Sequence, residues 1–178
     1  MRTAGVPIRT AREADIPGLL ELAAEVEHWF GPMVAEEGFH RALRTHVVRG
    51  TALVAEEGGA LTGGLLFDPA EPVNPVNPVD PADPVDPGDP AAHHVDWLVV
   101  SARARGTGVG RALMAAATER FVTPPATVEV VTFGPDHPGA VTSGARVFYE
   151  RLGFLPGAAA EPGPEGGSRQ RYRLRLPG

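Results

Sequence analysis

The sequence predicts an α/β (α+β) domain with elements in the order βααβββαβαββ. Three observations predict it. Short runs rich in Val, Leu, Phe and Thr alternate with longer segments whose apolar residues recur every three or four positions. Glycines mark the joints, at Gly58-Gly59, between Gly106 and Gly110, and at Gly153. A chain of 178 residues fills one domain well and is short for two.

Val6 to Arg9 reads as the first strand. A helix follows, capped near Asp15, with Pro17 in its first turn and Leu19, Leu20, Ala23 and Val26 on one face. Phe39, Ala42, Leu43 and Val47 form a second helical stripe that stops at Gly50. Thr51 to Glu56 and Ala60 to Phe67 are strands joined through Gly58-Gly59 as a hairpin. Val95 to Val100 is a β-rich strand, and Val109, Ala112, Leu113 and Ala116 give a helix running to about Val122. Thr127 to Phe133 reads as a buried strand and Ser143 to Leu152 as a short helix ended by Gly153. Strands near Phe154 to Ala159 and Gln170 to Leu176 complete the order.

Between the third and fourth strands, residues 68–91 carry a proline at every third position from Pro69 to Pro90, each preceded by Asp, Glu or Asn. A polyproline II geometry suits this period, and the missing glycine repeat excludes collagen. We read residues 1–178 as one domain with 68–91 inserted, either as a tolerated repeat expansion or as a ligand for a PxxP-reading partner. The segment holds six acids and no arginine, whereas the rest of the chain balances sixteen acids against sixteen arginines. The net charge of −6 therefore sits in the insertion, and no general basic character marks a nucleic-acid binder.

Composition excludes several chemistries. Without cysteine there are no disulfides, thiolate nucleophiles or cysteine metal sites, and without lysine no phosphate-binding GxxxxGK loop. The six histidines include no HExxH pair, and none of the three serines lies in GxSxG, so no metal site or serine triad is expected. No apolar run matches a membrane span or a secretory signal, which points to the cytoplasm.

The segment Ser101-Ala102-Arg103-Ala104-Arg105-Gly106-Thr107-Gly108-Val109-Gly110-Arg111 carries the chemistry. Glycines before a helix let the backbone approach a ligand and aim successive N–H groups at a phosphate. A turn that only packs tightly is the alternative on this segment alone. The dinucleotide fingerprint GxGxxG fails, because its third glycine would fall at Arg111.

Arg105-x-x-Gly108-x-Gly110, preceded by the apolar Trp97-Leu98-Val99-Val100, resembles the (Q/R)xxGx(G/A) motif of the GNAT superfamily of N-acetyltransferases. Ala145 to Phe154 resembles that family's second element, AxxxYExxGF. The resemblance implies a mixed, mostly antiparallel sheet whose fourth and fifth strands splay, and transfer of an acetyl or other acyl group from acetyl-CoA to an amine of a small molecule or peptide. It implies that backbone groups of Leu98, Val99 and Val100 pair with the pantetheine, and that Arg105, Gly106, Thr107, Gly108, Val109, Gly110 and Arg111 hold the pyrophosphate. Where many members carry an asparagine that contacts the cofactor, this chain has Thr142; its hydroxyl, or that of Ser143, is the shorter substitute. Tyr149 matches the family's proton donor, with packing as its alternative role.

The base is open between two residues and a chain of water molecules. His94 and Asp96 share strand parity just upstream of the pantetheine-pairing residues. Asp96 has the charge of the family's carboxylate base, and His94 is the kind of side chain that titrates near neutrality. Glu25, Glu27, His28, Trp29, Phe30 and Met33 fall where the family's first two helices border the acceptor. Arg169, Arg171, Arg173 and Arg175 alternate along the last strand, which predicts a charged, solvated face or a dock for the acidic insertion. A homodimer is compatible with this reading. The rival function is a non-catalytic acyl-CoA-binding or partner-docking module.

Overall fold

The described residues of the computed structural model are 5–70, 92–163 and 165–178. They form a seven-stranded sheet in the order β1-β2-β3-β4-β5-β7-β6. The strands are β1 (Ile8–Thr10), β2 (Ala52–Glu57), β3 (Ala60–Asp68), β4 (Ala92–Val100), β5 (Ala126–Phe133), β6 (Leu155–Ala160) and β7 (Arg169–Leu176). All neighbours are antiparallel except β4 and β5. The parallel pair needs a crossover, and the helix after β4 supplies it. The proline repeat lies, from residue 71 to 91, outside the described residues; its flanks are held in register by Asp68 opposite His94.

Helices pack on both faces. α1 (Ile16–Ala24) starts with Pro17 after a 3-10 turn, and Arg9 fastens its entry to the sheet by pairing with Asp15 and Glu56, each at 2.7 Å. α2 (Glu27–Phe30) is a single turn that sequence periodicity did not separate. α3 (Glu37–Arg49) ends at Gly50, whose φ of 73° makes it the left-handed cap that glycine provides without strain. α4 (Val109–Phe121) is the crossover.

The helix expected over 143–152 is α6 (Ala145–Arg151); a further turn that the sequence did not mark, α5 (Gly139–Thr142), precedes it, with Gly144 at a left-handed φ of 67° between them. Strand alternation divides the core. Leu65, Phe67, Val128 and Tyr172 meet α4 and α6 on one face, while Val54, Leu66 and Val99 meet α1 and α3 on the other. Among the described residues, no helix is long and apolar enough to cross a membrane.

Candidate functional site

The glycine run makes a turn that ends in the first turn of α4. Gly106 and Gly108 adopt φ of 76° and 93°, where a side chain would be strained, and Gly108 caps the helix. The first intrahelical bond runs from the Ala112 N–H to the Gly108 carbonyl at 2.9 Å, so the N–H groups of Val109, Gly110 and Arg111 have no helical acceptor. Gly110 allows close approach: a β-carbon there would stand 3.0 Å from the Phe148 ring. Glu25 ties the end of α1 to the loop by accepting bonds from the Ser101 hydroxyl at 2.9 Å and the Ala102 N–H at 2.8 Å. Arg105 lies over the Trp29 ring at 4.8 Å and donates to the Val100 carbonyl.

β4 and β5 pair only from Ala92–Thr127 to Val95–Val130 and then separate. Beyond Val95, β4 keeps β3 on one side, and the groups that would face β5 border a gap. That gap opens into a cleft of about 590 Å³ with largely apolar walls. Leu98, Val99, Val100, Arg105, Gly106, Gly108, Val109, Gly110 and Arg111 all line it, as do Tyr149 and Phe148 on α6 and Trp29 and Phe30 on α2. Burial pushes the Tyr149 phenol well above the ordinary tyrosine range, so it stays protonated across working pH.

Two of the predicted cofactor residues are not on the lining. The Thr107 hydroxyl donates to the Ala104 carbonyl at 2.6 Å, and the Thr142 hydroxyl to the Pro138 carbonyl at 3.3 Å. Ser143, Gly144 and Ala145 border the cleft instead.

The two candidate bases lie upstream on β4, beside the cleft and not in its lining. The β3–β4 register slips between Leu66 opposite Trp97 and Phe67 opposite Val95, leaving Asp96 as an unpaired bulge residue. The bulge turns its carboxylate to His46 on α3, whose Nε2 lies 3.0 Å from Asp96 Oδ2, while His46 Nδ1 lies 2.8 Å from the Thr51 hydroxyl. A carboxylate only accepts, so Nε2 carries the proton it donates. His94 is half-exposed, with Nδ1 3.8 Å from Glu129 Oε1. His93 packs on Phe67, its Nδ1 accepting from the Ala70 N–H; burial, then the adjacent His94, holds its pKa below the ordinary range.

Sequence reasoning missed His46 and Glu129. Glu129 sits within β5 with its side chain only 4% exposed, gripped by Arg171 Nε at 3.0 Å and Arg173 Nε at 2.9 Å. The arginine row of β7 is thus built on a buried carboxylate. Arg169 behaves differently: it pairs with Glu165 and lies 5.1 Å over both Phe30 and Phe133, which stack at 4.7 Å.

A second cleft of about 650 Å³ lies between α1 and the β2–β3 turn, away from Tyr149, and its Arg9 is already bound by Asp15 and Glu56. Among the described residues no group of three His, Asp or Glu could hold a metal ion.

Comparison with known proteins agrees with this geometry. The family model described as "Acetyltransferase (GNAT) domain" matches residues 48–156. A solved structure from Desulfovibrio desulfuricans, assigned to the GNAT family, superposes with a TM-score of 0.69 at 19% identity, covering 95% of this chain and 98% of that one. The ribosomal-protein-alanine N-acetyltransferase of Brucella melitensis gives 0.63 at 23% identity over 96% and 99%. A chain of the NatC complex bound to Gag peptide and CoA gives 0.67 at 14% identity over 96% and 98%. At these identities the solved structures show the shared fold. No curated protein matches the sequence.

Proposed function

The chain belongs to the GNAT acetyltransferase family, and we propose that it transfers the acetyl group of acetyl-CoA directly to a primary amine within a ternary complex. The observation that carries this reading is the union, in one cleft, of three unbonded helix-start amides, the free edge of β4 and a buried, protonated phenol. The residues fit the ligand: the amides and helix dipole suit a pyrophosphate, and the strand edge beside apolar walls suits an amide-bearing pantetheine.

Acetyl-CoA supplies an activated thioester. The chain's own groups handle the protons. Asp96 or His94 takes a proton from the amine, the nitrogen–carbon bond forms as the carbon–sulfur bond breaks, and Tyr149 donates its proton to the departing thiolate. No cysteine exists to carry the acyl group, so direct attack is the simpler route.

Free-thiol release from acetyl-CoA across an amine panel tests the reading. Tyr149→Phe should keep the thermal shift given by coenzyme A and lower turnover by roughly 10² or more. Full activity in that variant removes Tyr149 from the mechanism. Tight binding without amine-dependent release from the wild type points to a non-catalytic acyl-CoA-binding module instead.

A further inference from the structure

Val131 lies in β5, a central strand, yet is 44% exposed. Such a position is normally covered, so neither α1 nor α3 reaches this part of the sheet. Val131 is also the first residue of β5 past the fork. The last rung joining the parallel strands pairs Val95 with Val130, so the next residues, Asp96 on β4 and Val131 on β5, stand on either side of the opening. Both turn to the same face. Val95 and Val130 pack into the core beneath α4 and α6, which sends Val131 to the opposite face, and there the Asp96 carboxylate meets His46 of α3.

This open face gives an acceptor its way to the fork, because the α4 side of the cleft holds the unbonded amides and apolar walls that suit the cofactor. From Val131 the surface is apolar. Phe133 lies two residues on, about 7 Å along the same face. Phe30 stacks on it at 4.7 Å and lines the cleft beside Trp29. Trp29 and Phe30 each already carry a guanidinium, from Arg105 and Arg169 respectively. The two rings therefore form a wall for an apolar body and not a cage for a cation.

Carboxylates are scarce around this wall. Among the described residues none lines the cleft, and Glu129, which shares the face with Val131, has a side chain only 4% exposed with Arg171 and Arg173 against it. The Asp96 side chain is 43% exposed, with Oδ2 taken by His46 and no hydrogen bond from a described residue on Oδ1. One available carboxylate serves one amino group. A second ammonium further along the acceptor would lie over Val131, beside Arg171 opposite it on β7, and would lose water with nothing to replace it.

We propose that the acceptor is an apolar monoamine, whose reacting nitrogen sits by Asp96 and whose hydrocarbon body lies on Val131 against Phe30. The inference rests on the acetyltransferase reading above and narrows its substrate class to amines bearing an alkyl or aryl chain without a second charge. That chain belongs either to a free amine or to the apolar first residue of a peptide.

Amines of matched basicity test this. From ethylamine to hexylamine, kcat/KM should rise by tenfold or more, mainly through KM, at roughly twofold per methylene laid on a half-open apolar floor. Hexylamine should surpass 1,5-diaminopentane and 5-aminopentanoate, of similar length but charged at the far end, by tenfold or more. Phe-Gly amide against Lys-Gly amide represents the peptide source. V131T keeps the side-chain shape and exchanges one exposed methyl for a hydroxyl. It should shrink the hexylamine-to-ethylamine ratio by roughly threefold or more at unchanged melting temperature.

Titration of 1-hexanol into the CoA-loaded protein, followed by NMR, gives a readout independent of turnover: the Val131 methyl and Phe30 ring signals should shift, with weaker binding in V131T. Equal use of ethylamine and hexylamine, a preference for either charged analogue over hexylamine, or hexanol shifts that leave Val131 untouched overturns the proposal. Hexanol bound at Val131 with no amine ever acetylated keeps the apolar subsite and refutes acetyl transfer.

Discussion

Replacing Gly108 and Gly110 separately by alanine is the same chemical change made for two different physical reasons, and the two variants should fail differently. Gly108 has φ 93° and ψ 1°, with nothing within 4 Å of where a β-carbon would stand. Its cost is purely conformational, about 1–2 kcal/mol for an L-residue held left-handed. For a chain of this size that lowers the melting temperature by about 2–8 °C. A loop that relaxes to relieve the strain turns the amides of Val109, Gly110 and Arg111 out of convergence. Losing even one such bond to a charged acceptor, about 1.5–3 kcal/mol, weakens coenzyme A by roughly 10- to 150-fold.

Gly110 is helical, so alanine there gains up to about 1 kcal/mol of helix preference. The new methyl, however, stands 3.0 Å from Phe148 Cε2 and 3.1 Å from Cζ, and the ring must shift a few tenths of an ångström at the wall of the cleft. We expect Gly110→Ala to melt within a few degrees of wild type and to lose less affinity than Gly108→Ala. Thermal melts with and without coenzyme A, and calorimetric titration, measure both. If Gly108→Ala melts and binds as the wild type does, the loop is not the anion site.

Three further outcomes are expected. Asp96→Asn and His94→Gln should differ in kcat, the true base losing roughly 10² or more and shifting the pH–rate profile, while His46→Ala should depress activity only if Asp96 is that base. Replacing residues 71–91 by a short glycine-containing turn should leave melting temperature and coenzyme A affinity unchanged, since Asp68 and His94 are already paired at the base of the hairpin; a large loss in either shows that the segment braces the domain. Burial raises the pKa of both tyrosines of the chain, Tyr149 and Tyr172, above an unfolded value near 10, so the stability they contribute is complete below pH ~10 and falls as pH rises beyond it. A spectrophotometric titration should therefore show phenolate appearing at higher pH in the folded protein than in the unfolded chain, and Tyr149→Phe should soften the alkaline loss of stability.

Local signals carried the sequence reading far, and its gaps have physical causes. Gly58-Gly59, the stripe through Leu43 and the loop before Val109 declare their elements within a few residues, because turn geometry and amphipathic spacing are local properties. The single turn α5 went unmarked, since four residues are too few for apolar periodicity to show. Nothing local marks His46 on α3, whose buried ring finds its carboxylate partner because a bulge fifty residues later leaves Asp96 facing it. A slipped register leaves no trace in residue alternation.

Glu129 offered a fainter signal. A lone acid in the run Thr127 to Phe133 requires a cation, and the alternating arginines of the last strand were the available partners, but only the β5–β7 register joins them. Thr142 shows the limit of matching positions by motif: its hydroxyl is spent on Pro138 within α5, and the neighbouring Ser143 to Ala145 reach the cleft.

The four-residue contact between β4 and β5 has a mechanical meaning. The sheet is two rafts, β1-β2-β3-β4 and β5-β7-β6, each antiparallel and locally wired, riveted at one end and parted at the other. A ligand lying in the gap acts as the missing rungs of the ladder, so its binding should stiffen the joint between the rafts more than either raft itself. Native-state hydrogen exchange would register this as slowed opening of amides along the parted stretch of β4, from Trp97 to Val100, and along Val131 to Phe133, with the outer hairpins exchanging as before.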